Sequence, residues 1–372
     1  MKQEINSKKF YSLGIMSGTS MDGIDVSLIL TDGYELFEVV HSVSCSYPVA
    51  LKKDLQDLQK KIQKNIKFSE NIDAIVKSLT NLNIEAIKPI FDFSKNNNIK
   101  IDLIGYHGQT IYHNPKNKIS IQLGDPQYLS NFYETSVVFD FRIDDILNGG
   151  QGAPLVPIYH KVKFHSILAY PYVILNIGGI SNITYINNSE LIAFDSGPGN
   201  CLIDDLVSSY YNQSYDKNGK LAYLGNINYE IVNIFIKDVF FREGPPKSLD
   251  RNYFQKYIDL LTGDAVDKIA TASFLTVKSI IDSLKYLPKE PLNIVICGGG
   301  SKNNFLVQKI VENSSSKVLL AEDLGFNSQF IEAEAFAFLA ARRKINLPIS
   351  FPNTTGAKNP TVGGKIYNPS SI

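Results

Sequence analysis

The stretch GIMSGTSMDGID (residues 14–25) decides how this chain is read, because it is a strand interrupted by a small-residue turn and then resumed. The apolar run 11–16 gives way to Ser17-Gly18-Thr19-Ser20-Met21-Asp22-Gly23, and Ile24-Asp25-Val26-Ser27-Leu28-Ile29-Leu30 follows. The design returns midway, where 172–177 breaks at Gly178-Gly179-Ile180-Ser181-Asn182 and resumes as Ile183-Thr184-Tyr185-Ile186. β-branched and aromatic flanks favour strands, and Gly admits φ > 0 between them. Backbone N–H groups freed in such turns form anion nests, joined here by Ser and Thr hydroxyls. Two phosphate-type hairpins heading two halves indicate a duplicated domain acting on a nucleotide, the pattern of a kinase or ATPase.

Around these turns both halves open with three strands and then alternate helix with strand. The first half reads as strands near 10–16, 25–31 and 35–44, helices near 48–64 and 69–95, strands at 101–106 and 119–123, a short helix from Pro126 and a strand at 135–139. The second reads as strands at 172–177, 182–187 and 190–194, then helices near 200–212, 226–241 and 264–286. A strand at 293–297, a helix from Lys302, a strand at 317–320 and a helix at 331–343 complete it. This alternation predicts an α/β fold with mixed sheets and helices on both faces. The Gly-rich segment 148–154 marks the crossover, dividing the chain into 1–145 and 146–330, with the last helix and tail (331–372) expected to pack back on the first domain.

With 372 residues, 44% hydrophobic and 20% charged, the chain has length for two cores. Lys+Arg and Asp+Glu are both 37, so no global field favours nucleic acid. The three cysteines, Cys45, Cys201 and Cys297, form no CxxC and are read as buried thiols in a reducing compartment. The N-terminal residues are polar and no apolar run is long enough to span a bilayer, so a cytoplasmic protein is expected.

Asp195, in AFDSGPGN (193–200), lies between a strand and a helix, where ligand sites of open sheets gather. It reads as a base for an attacking oxygen or as a cap of the following helix; Gly197-Pro198-Gly199 favour the base. Gly298-Gly299-Gly300 ends a strand before a helix and suits close approach to a nucleotide ring or ribose, or an ordinary turn. His107, Gln109 and Thr110 follow a strand and are assigned to substrate binding. Arg142 is placed either on a substrate carboxylate or in a structural pair with Asp144 or Asp145. Asp22 and Asp25 flank the first turn, as orienters of hydrated Mg²⁺ or as turn residues. Glu332 and Glu334 begin a helix and complement its dipole.

Taken together, GIMSGTSMDGID (14–25), HGQT (107–110), QLGDP (122–126), DFR…GGQGAPLVP (140–157), LNIGGISNIT (175–184), FDSGPGN (194–200), YD..G (215–219) and CGGGSKN (297–303) resemble the anhydro-N-acetylmuramic acid kinase family of the actin–hexokinase–heat-shock ATPase superfamily. The resemblance runs in family order over nearly the whole chain. It implies two actin-like (ribonuclease H-like) domains with an active-site cleft between them. It also implies ATP and Mg²⁺ as cofactors, an amino-sugar substrate and a homodimer, with the product N-acetylmuramic acid 6-phosphate. Asp195 matches the family's base. Gly18, Thr19, Ser20, Asp22 and Gly23 match the first phosphate turn, Gly178 and Gly179 the second, and Gly298, Gly299 and Gly300 the nucleotide loop. Glu332 matches an acidic residue at the sugar pocket. The sequence departs from the family at Tyr106, at Leu147-Asn148 and at Ser196, positions that bear on substrate fit rather than on reaction type. The rival readings are a kinase on another amino sugar and a non-catalytic sugar or nucleotide sensor of the same fold.

Overall fold

The structure is a computed structural model and describes residues 8–18, 21, 23–64 and 72–370. The chain divides into two compact units, one made of the chain up to Lys163 together with the chain from Phe330 onward, the other of Phe164–Gln329.

In the first unit, β1 (Phe10–Ser17) and β2 (Gly23–Thr31) are the antiparallel arms of the first turn, and β3 (Phe37–Ser46) extends them. Helix α1 (Val49–Lys64) buries Leu51, Leu55, Leu58 and Ile62, a four-three-four spacing that keeps one helical face on the core. After α2 (Asp73–Asn96), β4 (Leu103–Tyr106) runs parallel to β1. A separate hairpin of β5 (Gln109–Asn114) and β6 (Ile119–Leu123) follows. Asp125 caps α3 (Pro126–Tyr133) by accepting from the Tyr128 N–H at 2.8 Å, with Pro126 in the first turn. Strand β7 (Ser136–Phe139), α4 (Ile143–Leu147) and α5 (Pro157–Phe164) end this stretch.

The second unit contains β8 (Tyr172–Ile177), β9 (Ile180–Ile186), β10 (Leu191–Pro198), α6 (Cys201–Tyr211), α7 (Tyr229–Phe235), α8 (Ala265–Ser283), β11 (Asn293–Cys297), α9 (Asn304–Asn313) and β12 (Lys317–Leu320). Its central helix α8 buries Ile269, Ala272, Leu275 and Ile280, as its sequence periodicity implies. Phe194, Phe235, Phe241 and Phe254 fill the core on one side. The single helix expected over 226–241 is broken. Asp238 takes extended backbone angles and its carboxylate accepts from the Phe240 N–H at 2.9 Å, a local bond that competes with helix continuation.

The two sheets share one topology. Their strand orders are β3-β2-β1-β4-β7 and β10-β9-β8-β11-β12, with β13 (Lys365–Tyr367) added antiparallel at the first sheet's edge. Strands one to three are antiparallel and the rest run parallel to the first in both. This duplicated mixed sheet is the actin-like α/β arrangement.

Helix α10 (Ile331–Lys344) crosses the first sheet at unusually short range. A Cβ on Gly14 would sit 1.9 Å from the Ala333 carbonyl oxygen, and one on Gly105 2.2 Å from that of Phe336. Ser12 Oγ donates to the Ala337 carbonyl at 2.7 Å, satisfying a buried hydroxyl in the same contact. Beside it, Lys163 Nζ on α5 meets Glu334 Oε2 at 2.5 Å with both side chains almost wholly buried, and Tyr159 OH donates to the same oxygen at 2.8 Å. Glu334 stands in the first turn of α10 as expected, and is in addition the counter-charge of a buried ammonium.

Two outcomes follow from this packing. Gly14→Ala is expected to lower stability by about 3 kcal/mol, because the helix backbone has no room to withdraw. Glu334→Gln is expected to cost about 3–5 kcal/mol by withdrawing the counter-charge from a buried ammonium, with partial recovery in Lys163→Met/Glu334→Gln. Urea midpoints of the three variants test both.

Candidate active site

In the first unit, the polar groups meet where β1, β4 and β7 end. The Gly18 carbonyl accepts from the Met21 N–H (3.1 Å) and from Gln109 Nε2 (3.2 Å). Gln109 Oε1 accepts from Ser17 Oγ (2.7 Å) and Tyr47 OH (2.9 Å). Burial pushes the Tyr47 phenol up to about 12, so it remains a donor. The Gln109 amide thus braces the first turn from below. Gly23 opens β2, while Thr19, Ser20 and Asp22 lie outside the described residues.

His107 is buried with both ring nitrogens engaged. Nδ1–H donates to the Gly108 carbonyl at 2.8 Å, and Nε2 accepts from Arg142 Nη2 and Nε at 2.9 and 3.1 Å. Burial first, then the Arg142 charge, holds its pKa well below the usual imidazole range, so the ring is neutral and serves as acceptor. Arg142 Nη1 donates to the Gly152 carbonyl at 2.7 Å. Burial raises the Glu332 carboxyl; the nearby Arg142 charge opposes this and Asp25 adds to it. Arg142, His107, Glu332 and Asp25 therefore share one electrostatic neighbourhood. Thr110 Oγ1 accepts from Gln122 Nε2 at 3.4 Å across the β5–β6 hairpin.

Asp144 and Asp145, the alternative partners of Arg142, are engaged elsewhere. Asp145 Oδ2 accepts from the Gly152 N–H (2.7 Å), and Oδ1 from Ser350 Oγ (2.5 Å) and Thr355 Oγ1 (2.6 Å). Asp144 accepts from the Gly364 N–H at 3.1 Å. A buried carboxylate thereby anchors the Gly-rich loop 149–152 to the C-terminal segment, a role that no spacing in the sequence disclosed.

In the second unit, three sequence-distant glycine segments converge at the end of β8. The Gly178 carbonyl accepts from the Asn200 N–H (2.8 Å), and that of Gly179 from the N–H groups of Gly199 (3.0 Å) and Cys201 (3.1 Å). A Cβ on Gly199 would lie 2.2 Å from the Gly178 oxygen. Gly298, at φ +78°, and Gly300 press on Asn176 and Ile177, whereas a Cβ on Gly299 would meet only Asn200 Nδ2, at 3.9 Å. Two of the three consecutive glycines thus make room for the Asn176 and Ile177 side chains, and Gly299 with Gly179 is exposed.

Asp195 lies at a β-bulge in β10, opposite Asn182. Its N–H donates to the Lys247 carbonyl at 2.9 Å, and its Oδ2 accepts from the Leu249 N–H at 2.7 Å. Asn200, not Asp195, is the residue that precedes α6; its N–H goes to the Gly178 carbonyl and that of Cys201, the first helical residue, to Gly179, while the Leu249 N–H binds the Asp195 carboxylate. Sequence reasoning does not reach Lys247 and Leu249; the signal it offers is a lysine directly after Pro245-Pro246. Among the described residues no group of three or more His, Cys, Asp or Glu is arranged to hold a metal ion, and no helix is long and apolar enough to cross a membrane.

Comparison with known proteins bears on the same residues. The profile of the anhydro-N-acetylmuramic acid kinase family matches residues 10–369. An anhydro-N-acetylmuramic acid kinase of Pelagibacter ubique (strain HTCC1062) is 38% identical, over 96% of this chain and 99% of that protein. One from Bradyrhizobium diazoefficiens is 39% identical, with the same coverage. Among solved structures, a ROK family glucokinase from Streptomyces griseus aligns over 89% of this chain and 99% of that one, at 12% identity and a TM-score of 0.43. With the family's profile spanning both glycine turns and the Asp195 bulge, this chain belongs to the anhydro-N-acetylmuramic acid kinase family.

Proposed function

We propose that this chain is an ATP-dependent kinase that opens the 1,6-anhydro bond of 1,6-anhydro-N-acetylmuramic acid and phosphorylates O6, in cell-wall recycling. The observation that carries the reading is the Asp195 carboxylate, gripped at Oδ2 by the Leu249 N–H at a bulge beside the Gly178-Gly179 turn. Relatives 38% and 39% identical over 96% of the chain are named anhydro-N-acetylmuramic acid kinase.

In the proposed reaction, Asp195 takes a proton from water as the water oxygen bonds to the anomeric carbon. The bond from that carbon to O6 breaks, and the electron pair left on O6 attacks the γ-phosphorus of ATP. The products are N-acetylmuramic acid 6-phosphate and ADP. An inverting glycosidase needs a second carboxyl group to protonate the departing oxygen. Here phosphoryl capture stabilises it, so one base suffices.

Arg142, oriented by the neutral His107 and the Gly152 carbonyl, is assigned to the substrate's carboxylate, and Glu332 to the sugar hydroxyls. Gln109 and Thr110 are assigned to substrate binding, and His107 to the same role through Arg142. The turns around Gly18 and Gly178 are assigned to the phosphates and Gly299 to the nucleoside. Mg²⁺, which keeps several waters and binds mostly through phosphate oxygens, would arrive with the nucleotide, met by Asp22 through water, and would neutralise charge on the phosphates. A homodimer in the cytoplasm completes the proposal.

Asp195→Asn is expected to retain its fold and nucleotide affinity while kcat falls by about 10²–10⁴, the range typical of a lost general base. Turnover at the wild-type rate would remove Asp195 from the mechanism. Reaction in ¹⁸O-water is expected to label the anomeric oxygen of phosphorylated product from the anhydro sugar, and to give no ADP with N-acetylmuramic acid or N-acetylglucosamine. ADP release with one of those sugars instead would transfer the activity to another amino-sugar substrate.

A further inference from the structure

Lys247 is a cation drawn into the second unit's interior at only 6% exposure, with no carboxylate among the described residues in hydrogen-bond contact with its Nζ. Its Nζ donates to the main-chain carbonyls of Phe240 and Glu243, both at 2.9 Å. It also lies over the rings of Phe240 (4.1 Å) and Tyr286 (4.9 Å). These contacts satisfy an ammonium in the way a buried cation requires: oxygen acceptors on one side and aromatic faces on the other. They also tie the segment 244–249 back onto residues 240–243, which are held in turn by Tyr286 OH and Lys285 Nζ on the Phe241 carbonyl.

The same residue touches Asp195 through its main chain. The Lys247 carbonyl accepts from the Asp195 N–H, and two residues later the Leu249 N–H grips Oδ2. Asp195 sits at a bulge, where its own strand offers an irregular ladder. Its carboxylate direction therefore depends on a loop whose position is fixed by the lysine's side chain.

We infer that Lys247 is a positioning residue for Asp195, stapling the loop that aims the carboxylate. The inference rests on the assignment of Asp195 as the base. Its charge contributes as well: Lys247 and Asp195 attract, and the Lys285 ammonium and the Glu243 carboxylate are the other charges acting on Lys247. Burial, with Lys285 adding to it, brings the Lys247 pKa down to about 8, while Glu243 and Asp195 pull upward. As pH rises through that value the ammonium becomes a neutral amine, and its charge-assisted bonds to the two carbonyls weaken. Turnover should then fall on the alkaline side while nucleotide binding stays unchanged.

The test is steady-state kinetics from pH 6 to 10 on the full chain with ATP and the anhydro sugar, for wild type, Lys247→Met, Lys247→Arg and Asp195→Asn. The expected result for Lys247→Met is a kcat at least tenfold lower with the KM for ATP within twofold of wild type. Lys247→Arg, whose guanidinium stays charged, should recover part of kcat and move the alkaline limb to higher pH. Wild-type kcat in Lys247→Met, or a loss shared equally by kcat and nucleotide affinity, would overturn the inference. Should Lys247→Met not fold, an alkaline limb in Lys247→Arg identical to that of wild type would overturn it. Full activity in Asp195→Asn would remove the underlying base assignment, an outcome separate from any result at Lys247.

Discussion

Main chain must approach main chain closely at the carboxyl end of β8, and the second unit's candidate site depends on that approach. The Gly178 oxygen stands where a Cβ of residue 199 would be, and Asn176 and Ile177 stand where those of residues 298 and 300 would be. Only glycine fits, and its absence of a side chain lets three distant segments share one small region. The carbonyls of Gly178 and Gly179 are then taken by the first N–H groups of α6, so the turn and the helix N-terminus hold each other in place. Gly299 and Gly179 are left open at the rim, where backbone can meet a ligand.

The first unit meets the same demand differently. Its glycines at 14 and 105 seat a helix on a sheet, and its first turn is supported by side-chain amide and hydroxyl bonds from Gln109, Ser17 and Tyr47. The Arg142 guanidinium is directed by a neutral imidazole and a carbonyl. The two units thus have one strand topology and two separate ways of stiffening their strand ends.

Much of this was legible in the chain itself. Runs of β-branched residues broken by glycine turns located β1, β2, β8 and β9, and apolar spacing located α1 and α8, because both depend on neighbours close in sequence. The 226–241 segment was misread because a polar side chain at Asp238 competes locally with the helix, which apolar periodicity does not register. The buried ion pair of Glu334 is not legible beside its place at a helix start, because its partner Lys163 is 171 positions away.

The sequence alone determined the duplicated α/β pattern, the two glycine turns and a resemblance spread across the whole chain, whereas Asp195, expected just past a strand, lies within β10 at its bulge. Tertiary structure decided what holds those residues: Leu249 on Asp195, His107 on Arg142, Gln109 on Gly18, and Ser350 and Thr355 on Asp145. The division has a physical reason. Strand, turn and helix preferences arise from steric and hydrogen-bonding terms within a few residues, whereas a buried polar group is satisfied by whichever partner the fold brings to it.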